Sequence, residues 1–174
     1  MSGKQKPNRS LEELFEYAMA MEREAARRYT QLSDMMAQHN NPEMADFFRR
    51  MADVEWLHVY NVGEIRREVG VPENIGKAKP GLGLDGAEVL DVLDIHYLQH
   101  PYHALTLARQ HEERAVSFYT DLAGSAENEE VRAMARRFAG DEEAHVRELD
   151  RWLAHYPKPE EGWDDDPDPP NELE

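Results

Sequence analysis

Two helical patterns interrupted by polar residues, each present twice, restrict what this chain can fold into more than any other feature. Ala18, Glu22, Ala25 and Tyr29 recur with the same order and spacing as Ala108, Glu112, Ala115 and Tyr119, and Ala52, Glu55 and His58 recur as Ala139, Glu142 and His145. Spacings of three, four and seven residues keep side chains on one face of an α-helix. Each set lies within an apolar stripe. The first stripe reads Leu11, Leu14, Phe15, Ala18, Ala25, Tyr29, Leu32, Met36, and the second Met44, Phe47, Phe48, Met51, Val62, Ile65, Val69. The third carries Leu105, Ala108, Ala115, Tyr119, Leu122, and the fourth Val131, Met134, Ala135, Phe138, Leu149, Trp152. The chain is thus an internal repeat of two helical hairpins, and what repeats is the set of polar residues breaking the stripes.

Helix boundaries follow from local chemistry. Ser10 with Glu13 forms a capping-box pattern that starts a helix running to about Gln38. Asn41-Pro42 supplies an N-cap with proline at the first helical position, and this helix is expected to end at Gly70. Pro101 opens a third helix, the stretch from Gly124 to Asn128 breaks it, and Pro157 lies beyond the end of a fourth. Between Gly70 and His100 the density of Gly and Pro predicts a loop, with a short helix over Ala87–Tyr97. A connection that long joins helices when it crosses the length of a bundle. The expected division is a flexible N-terminus over 1–9, an all-α four-helix bundle over 10–156, and an acidic, Pro-rich tail over 157–174.

Four inward glutamates have no place in an apolar bundle. An isolated buried ion costs several kcal/mol even after relaxation, and carboxylates gathered at one level repel and take up protons. Two divalent cations would balance the four negative charges, with neutral imidazoles completing the ligand set. The i, i+3 pairs Glu55/His58 and Glu142/His145 can each hold one ion. Glu22 and Glu112, from the complementary helices, are then expected to bridge, with Ala25 and Ala115 leaving room for the ions and a small ligand. A Glu from each of two helices with Glu-x-x-His from each of the other two is the arrangement of di-iron and di-manganese carboxylate bundles. A single Glu-x-x-His would be weak evidence; the duplicated set is specific.

Composition narrows the chemistry further. The 174 residues include no cysteine, so thiolate metal sites and a fused rubredoxin-type module are excluded and any metal must sit on nitrogen and oxygen. The formal net charge of −16 argues against nucleic acid as a partner. No stretch approaches the roughly 20 apolar residues of a membrane span. Basic residues at the start are followed by no hydrophobic run, so a cytoplasmic location is expected.

The stretches AMAMEREAARRY, MADVEWLH, PYHALTLARQHEERAVSFY and FAGDEEAH resemble the rubrerythrin branch of the ferritin-like superfamily over about residues 10 to 155. The resemblance implies a ferritin-like bundle of two hairpins joined by one long crossover. It places Glu22, Glu55, His58, Glu112, Glu142 and His145 at di-iron ligand positions and Tyr29 and Tyr119 beside the cluster. It also implies a homodimer. Many rubrerythrins carry a further Glu one turn after the third-helix ligand, where this chain has Ala115, and many carry a cysteine-ligated rubredoxin domain. A separate electron donor is therefore expected.

The function expected is a non-haem oxidoreductase whose two iron ions, or alternatively manganese, react with hydrogen peroxide or dioxygen. The alternatives are ferroxidase or iron handling, a manganese catalase-like reaction, and a bundle that metal merely stabilises. Tyr29 and Tyr119 are the catalytic candidates, as hydrogen-bond partners of the cluster, radical traps or donors of a proton to bound peroxide, with aromatic core filling as the alternative. His111, about 100° round the helix from Glu112, is expected to face a neighbour or solvent. His96, His100 and His103 are either incidental cap and loop residues or a secondary metal site.

Overall fold

The computed structural model describes residues 10–73 and 100–162. They form four helices, α1 (Leu11–Gln38), α2 (Pro42–Glu68), α3 (Pro101–Ser125) and α4 (Glu129–Leu153). The expected capping box is present: Ser10 Oγ accepts from the Glu13 amide at 3.2 Å and Glu13 Oε2 accepts from the Ser10 amide at 3.3 Å. Asn41, His100 and Asn128 cap the other three helices through side-chain acceptors. At the end of α2, Gly70 takes the left-handed conformation (φ 73°) that lets the chain turn back on the last carbonyls. The expected short helix over Ala87–Tyr97, the N-terminal nine residues and residues 163–174 lie outside the described residues.

α1 packs against α2 and α3 against α4 as antiparallel hairpins. The core divides in two. One cluster joins Tyr29, Leu32 and Met36 of α1, Met44, Phe47 and Phe48 of α2, Leu105 of α3 and Leu149 of α4. The other joins Leu14, Phe15 and Ala18 with Val62, Tyr119, Leu122, Val131 and Phe138. In each helix the residues between its two contributions are Glu22, Glu55 with His58, Glu112, or Glu142 with His145. The polar residues thus form one layer across the middle of the bundle. α2 ends beside the second cluster and α3 begins beside the first, at opposite ends of the bundle.

Ala25 packs against the first cluster from a half-buried position, with Ala26 fully buried beside it. A helix of 3.6 residues per turn moves the inward direction to just past position 25 when counted from Glu22. One expected core position is corrected: Val69 is 47% exposed because it caps α2 beyond the last packed turn. Leu11, Ile65, Met134 and Trp152 pack against the core from half-buried positions.

Candidate metal centre

The stripe interruptions bring all six expected residues together. Glu22, Glu55, Glu112, Glu142 and His145 are buried, and Glu55 has no exposed surface. His58 keeps about a fifth of its side chain accessible (20%). Its Nδ1 lies 3.6 Å from Glu22 and 3.8 Å from Glu55 Oε2. His145 Nδ1 lies 2.9 Å from Glu55 Oε1, 3.5 Å from Glu142 and 3.7 Å from Glu112. The two imidazoles stack with centroids 4.9 Å apart and planes 14° from parallel.

Glu55 therefore occupies the middle of the layer, one oxygen toward each histidine. Glu22 and Glu112, the expected bridging residues, lie beside His58 and His145 respectively. Spacing along a helix identifies an inward residue but not its depth, and depth decides which carboxylate lies between the histidines.

The donor atoms also show what the layer accommodates. Glu55 Oε1, Glu55 Oε2 and His145 Nδ1 are buried and make no hydrogen bond among the described residues. The 2.9 Å approach of His145 to Glu55 is close in distance but not aligned as a hydrogen bond. Buried polar atoms are almost always paired, so three unpaired atoms converging on one region mark a place for an electrophile. Two groups, Glu55/His58/His145 and Glu112/Glu142/His145, have donor atoms all within 4.8 Å of one another, as ligands of a common ion require. Nitrogen and carboxylate donors suit iron, manganese or zinc.

With the protein's own groups alone, protons carry the compensating charge. Burial pushes Glu55 well above the usual carboxylate range against the pull of His145. Burial lifts Glu142 to about 8, reinforced by repulsion from Glu112 and Glu22. Burial also presses Glu112 upward, but His145 and Tyr29 outweigh it and hold the carboxyl below its usual range. Burial opposes charge on His145, yet Glu112, Glu142 and Glu55 around it raise its affinity for a proton strongly. These protons occupy the role two cations would fill, and the residues fit a di-metal group.

The tyrosines flank this layer unequally. The Tyr29 hydroxyl donates to Glu112 Oε1, while the Tyr119 hydroxyl is buried with no hydrogen-bond partner among the described residues. Burial holds both phenols protonated, their pKa values well above the ordinary one. His111 lies outside the layer as expected, 3.3 Å from Arg114, and burial with Arg28 and Arg114 nearby lowers it to about 4. His100 caps α3, and His103 is buried beside it with ring centroids 5.7 Å apart; neither joins the centre. His96 lies outside the described residues. Sequence spacing did not single out Arg28, whose guanidinium lies in the field of Glu112 and pairs with Glu24 at 3.9 Å. No stripe carries a signal for it, since its position depends on how α1 meets α3.

Fold and site together define the class: a four-helix bundle with a carboxylate and histidine centre at mid-height. The rubrerythrin family model matches residues 13–83. A crystal structure of an uncharacterized conserved protein from Magnetospirillum magnetotacticum MS-1 is 36% identical with a TM-score of 0.69, the match covering 87% of this chain and 99% of that one. No curated protein matches. The chain belongs to the rubrerythrin-like branch of the ferritin-like superfamily, and its 174 residues contain no cysteine. No described helix is long and apolar enough to cross a membrane.

Proposed function

We propose that this protein is a di-iron carboxylate oxidoreductase acting on hydrogen peroxide or dioxygen. The observation that carries the reading is Glu55, buried between two histidines with one unpaired oxygen toward each. Glu55 with His58 and Glu22, and His145 with Glu112 and Glu142, would hold the ion pair. When bound, the iron pair supplies the electrons that reduce the oxidant.

The protein's own groups bind, orient and protonate. Tyr29 fixes the Glu112 carboxylate through its hydroxyl, orienting a ligand in the way outer hydrogen bonds do at metal sites. Tyr119 retains its proton and has no fixed acceptor, so its hydroxyl is available to a small bound oxidant. His58, the one ligand candidate open to solvent, marks the side from which peroxide would enter. Ala115 is buried one turn after Glu112, so that position offers no further carboxylate to the centre. Electrons for repeated cycles come from a separate donor, since the chain has no cysteine to hold an electron-transfer iron.

The test is to load the purified protein with Fe(II) under argon, add peroxide or air in separate runs, and follow ferric absorbance by stopped flow. Oxidation faster than for free Fe(II), lost in Glu55→Ala, is expected. Oxidation no faster than free iron, or unaffected by Glu55→Ala, contradicts the reading.

A further inference from the structure

One line of aromatic rings leads from the polar layer towards the surface. Tyr29, whose hydroxyl donates to Glu112, lies over Phe48 with ring centroids 6.0 Å apart. Phe48 meets Phe47 at 5.2 Å, and Phe47 meets Trp152 at 4.4 Å. Trp152 stacks on Tyr156 at 6.4 Å with planes 8° from parallel. Every step is a direct ring contact. Phe47 and Phe48 are buried in the first cluster, whereas Trp152 and Tyr156 pack against it from half-buried positions.

Packing explains part of this line. Rings fill cores, and half-buried phenols and indoles find hydrogen-bond partners in any bundle. What packing leaves open is the choice of partner. Tyr156 donates its hydroxyl to Glu43 at 3.0 Å, and Trp152 donates its Nε1–H to Glu148 at 3.2 Å. Losing an electron makes a phenol O–H or an indole N–H strongly acidic. Each outer ring thus has a base within reach of the proton that leaves with the electron. The internal repeat shows that the fold does not require the line. The positions on the other hairpin that match Phe47, Phe48, Trp152 and Tyr156 are Met134, Ala135, Ile65 and Val69. Tyr119 also has ring neighbours, Tyr17, Phe118 and Phe138. Its cluster holds no tryptophan, however, and its hydroxyl no acceptor, among the described residues.

We propose that Tyr29, Phe48, Phe47, Trp152 and Tyr156 carry electrons inward from a small one-electron donor that docks at Trp152 and Tyr156. The proposal rests on the oxidoreductase reading above, whose separate donor needs a point of entry. In each step Tyr156 gives one electron towards the centre and its hydroxyl proton to Glu43. The donor then returns one electron and Glu43 the proton, which restores the phenol. Two such steps, with two protons from solvent, balance the reduction of one peroxide to two waters. Phe47 and Phe48 are not themselves oxidised; their π systems bridge Tyr29 and Trp152.

Metal-free protein tests the outer rings without any chemistry at the centre. In a Trp56→Phe, Trp163→Phe background, Trp152 is the one indole left of three. Azide radicals made by pulse radiolysis oxidise it, and its radical should convert to a tyrosyl radical at a rate independent of protein concentration. Tyr156→Phe should slow that step about tenfold, and Glu43→Gln, which keeps an acceptor but not a base, should slow it less. Tyr17→Phe should leave it unchanged. Iron-loaded protein tests the whole line. Trp152→Phe should slow re-reduction of the ferric protein by tetramethyl-p-phenylenediamine about tenfold. It should spare single-turnover oxidation of loaded Fe(II), whose electrons are already at the centre. Trp152→Tyr, which restores an oxidisable ring, should recover most of the re-reduction rate, whereas a packing role would be served as well by Phe. Circular dichroism confirms that each variant is folded. Unchanged re-reduction in Trp152→Phe, equal rates in Trp152→Phe and Trp152→Tyr, or tyrosyl formation indifferent to Tyr156 overturns the proposal. Wild-type protein that fails to oxidise loaded Fe(II) overturns the reading of the centre and the route with it, a failure that normal transfer between the metal-free rings tells apart.

Discussion

The two hairpins carry the same inward pattern in different surroundings. In the first, His58 is partly open and the outside of its helix is apolar; in the second, His145 is buried and the outside of its helix is charged. The first hairpin's tyrosine donates to a glutamate of the second, while the second hairpin's tyrosine has no hydrogen-bond partner among the described residues. A repeat therefore specifies which residues gather at the centre, and the residues around the repeat decide what each half contributes. The first half supplies Glu55 and solvent access. The second supplies the histidine that contacts three carboxylates.

The largest effect separates glutamates that the sequence pattern treats alike. Glu55→Ala should reduce bound iron from about two equivalents per chain to less than one, because both histidines face this carboxylate. Glu22→Ala should leave at least one ion, held by the α3 and α4 residues. Metal analysis after gel filtration checks both, and equal losses would remove the distinction between the halves.

A smaller contrast concerns the tyrosines. Tyr29→Phe removes the donor to Glu112 and should weaken iron binding about tenfold, whereas Tyr119→Phe removes an unpaired buried hydroxyl and should leave metal-free stability unchanged or raise it by about 1 kcal/mol. Competition with a chromophoric chelator and urea unfolding measure the two. Equal responses would show that the hydrogen bond seen on one side does not matter.

How much of this was legible in sequence varies with how local the cause is. Ser10 and Asn41 cap as expected because a cap is set by a few adjacent residues. Burial of the four glutamates was readable because each breaks an apolar stripe. Ala26, fully buried beside half-buried Ala25, was missed because successive spacings of three and four only approximate the helical period. The central position of Glu55 and the Tyr29–Glu112 bond, across 83 residues, depend on how hairpins meet, which no single helix records.

The smallest expected effect is on pH dependence. Glu142 titrates near 8 in the fold against an ordinary 4.5, and Glu55 is also raised. A raised carboxylate stabilises the fold fully below about 4.5 and loses that contribution as pH rises through its folded value. The raised His145 acts in the same direction. Glu112, held low, is already ionised above pH 5 and adds no slope there. Metal-free protein should therefore melt at lower temperature at pH 8 than at pH 5.5. Metal binding displaces the same protons and strengthens over that window. The gap between metal-loaded and metal-free melting temperatures should widen by roughly 5 °C. A constant gap would mean that protons and ions do not compete for the centre.

The most direct measurement is anomalous diffraction at the iron edge from crystals of iron-loaded protein. The account predicts two peaks, one on each side of the Glu55 carboxylate, the first within reach of His58 and the second within reach of His145. A single peak, or peaks away from Glu55, would contradict it.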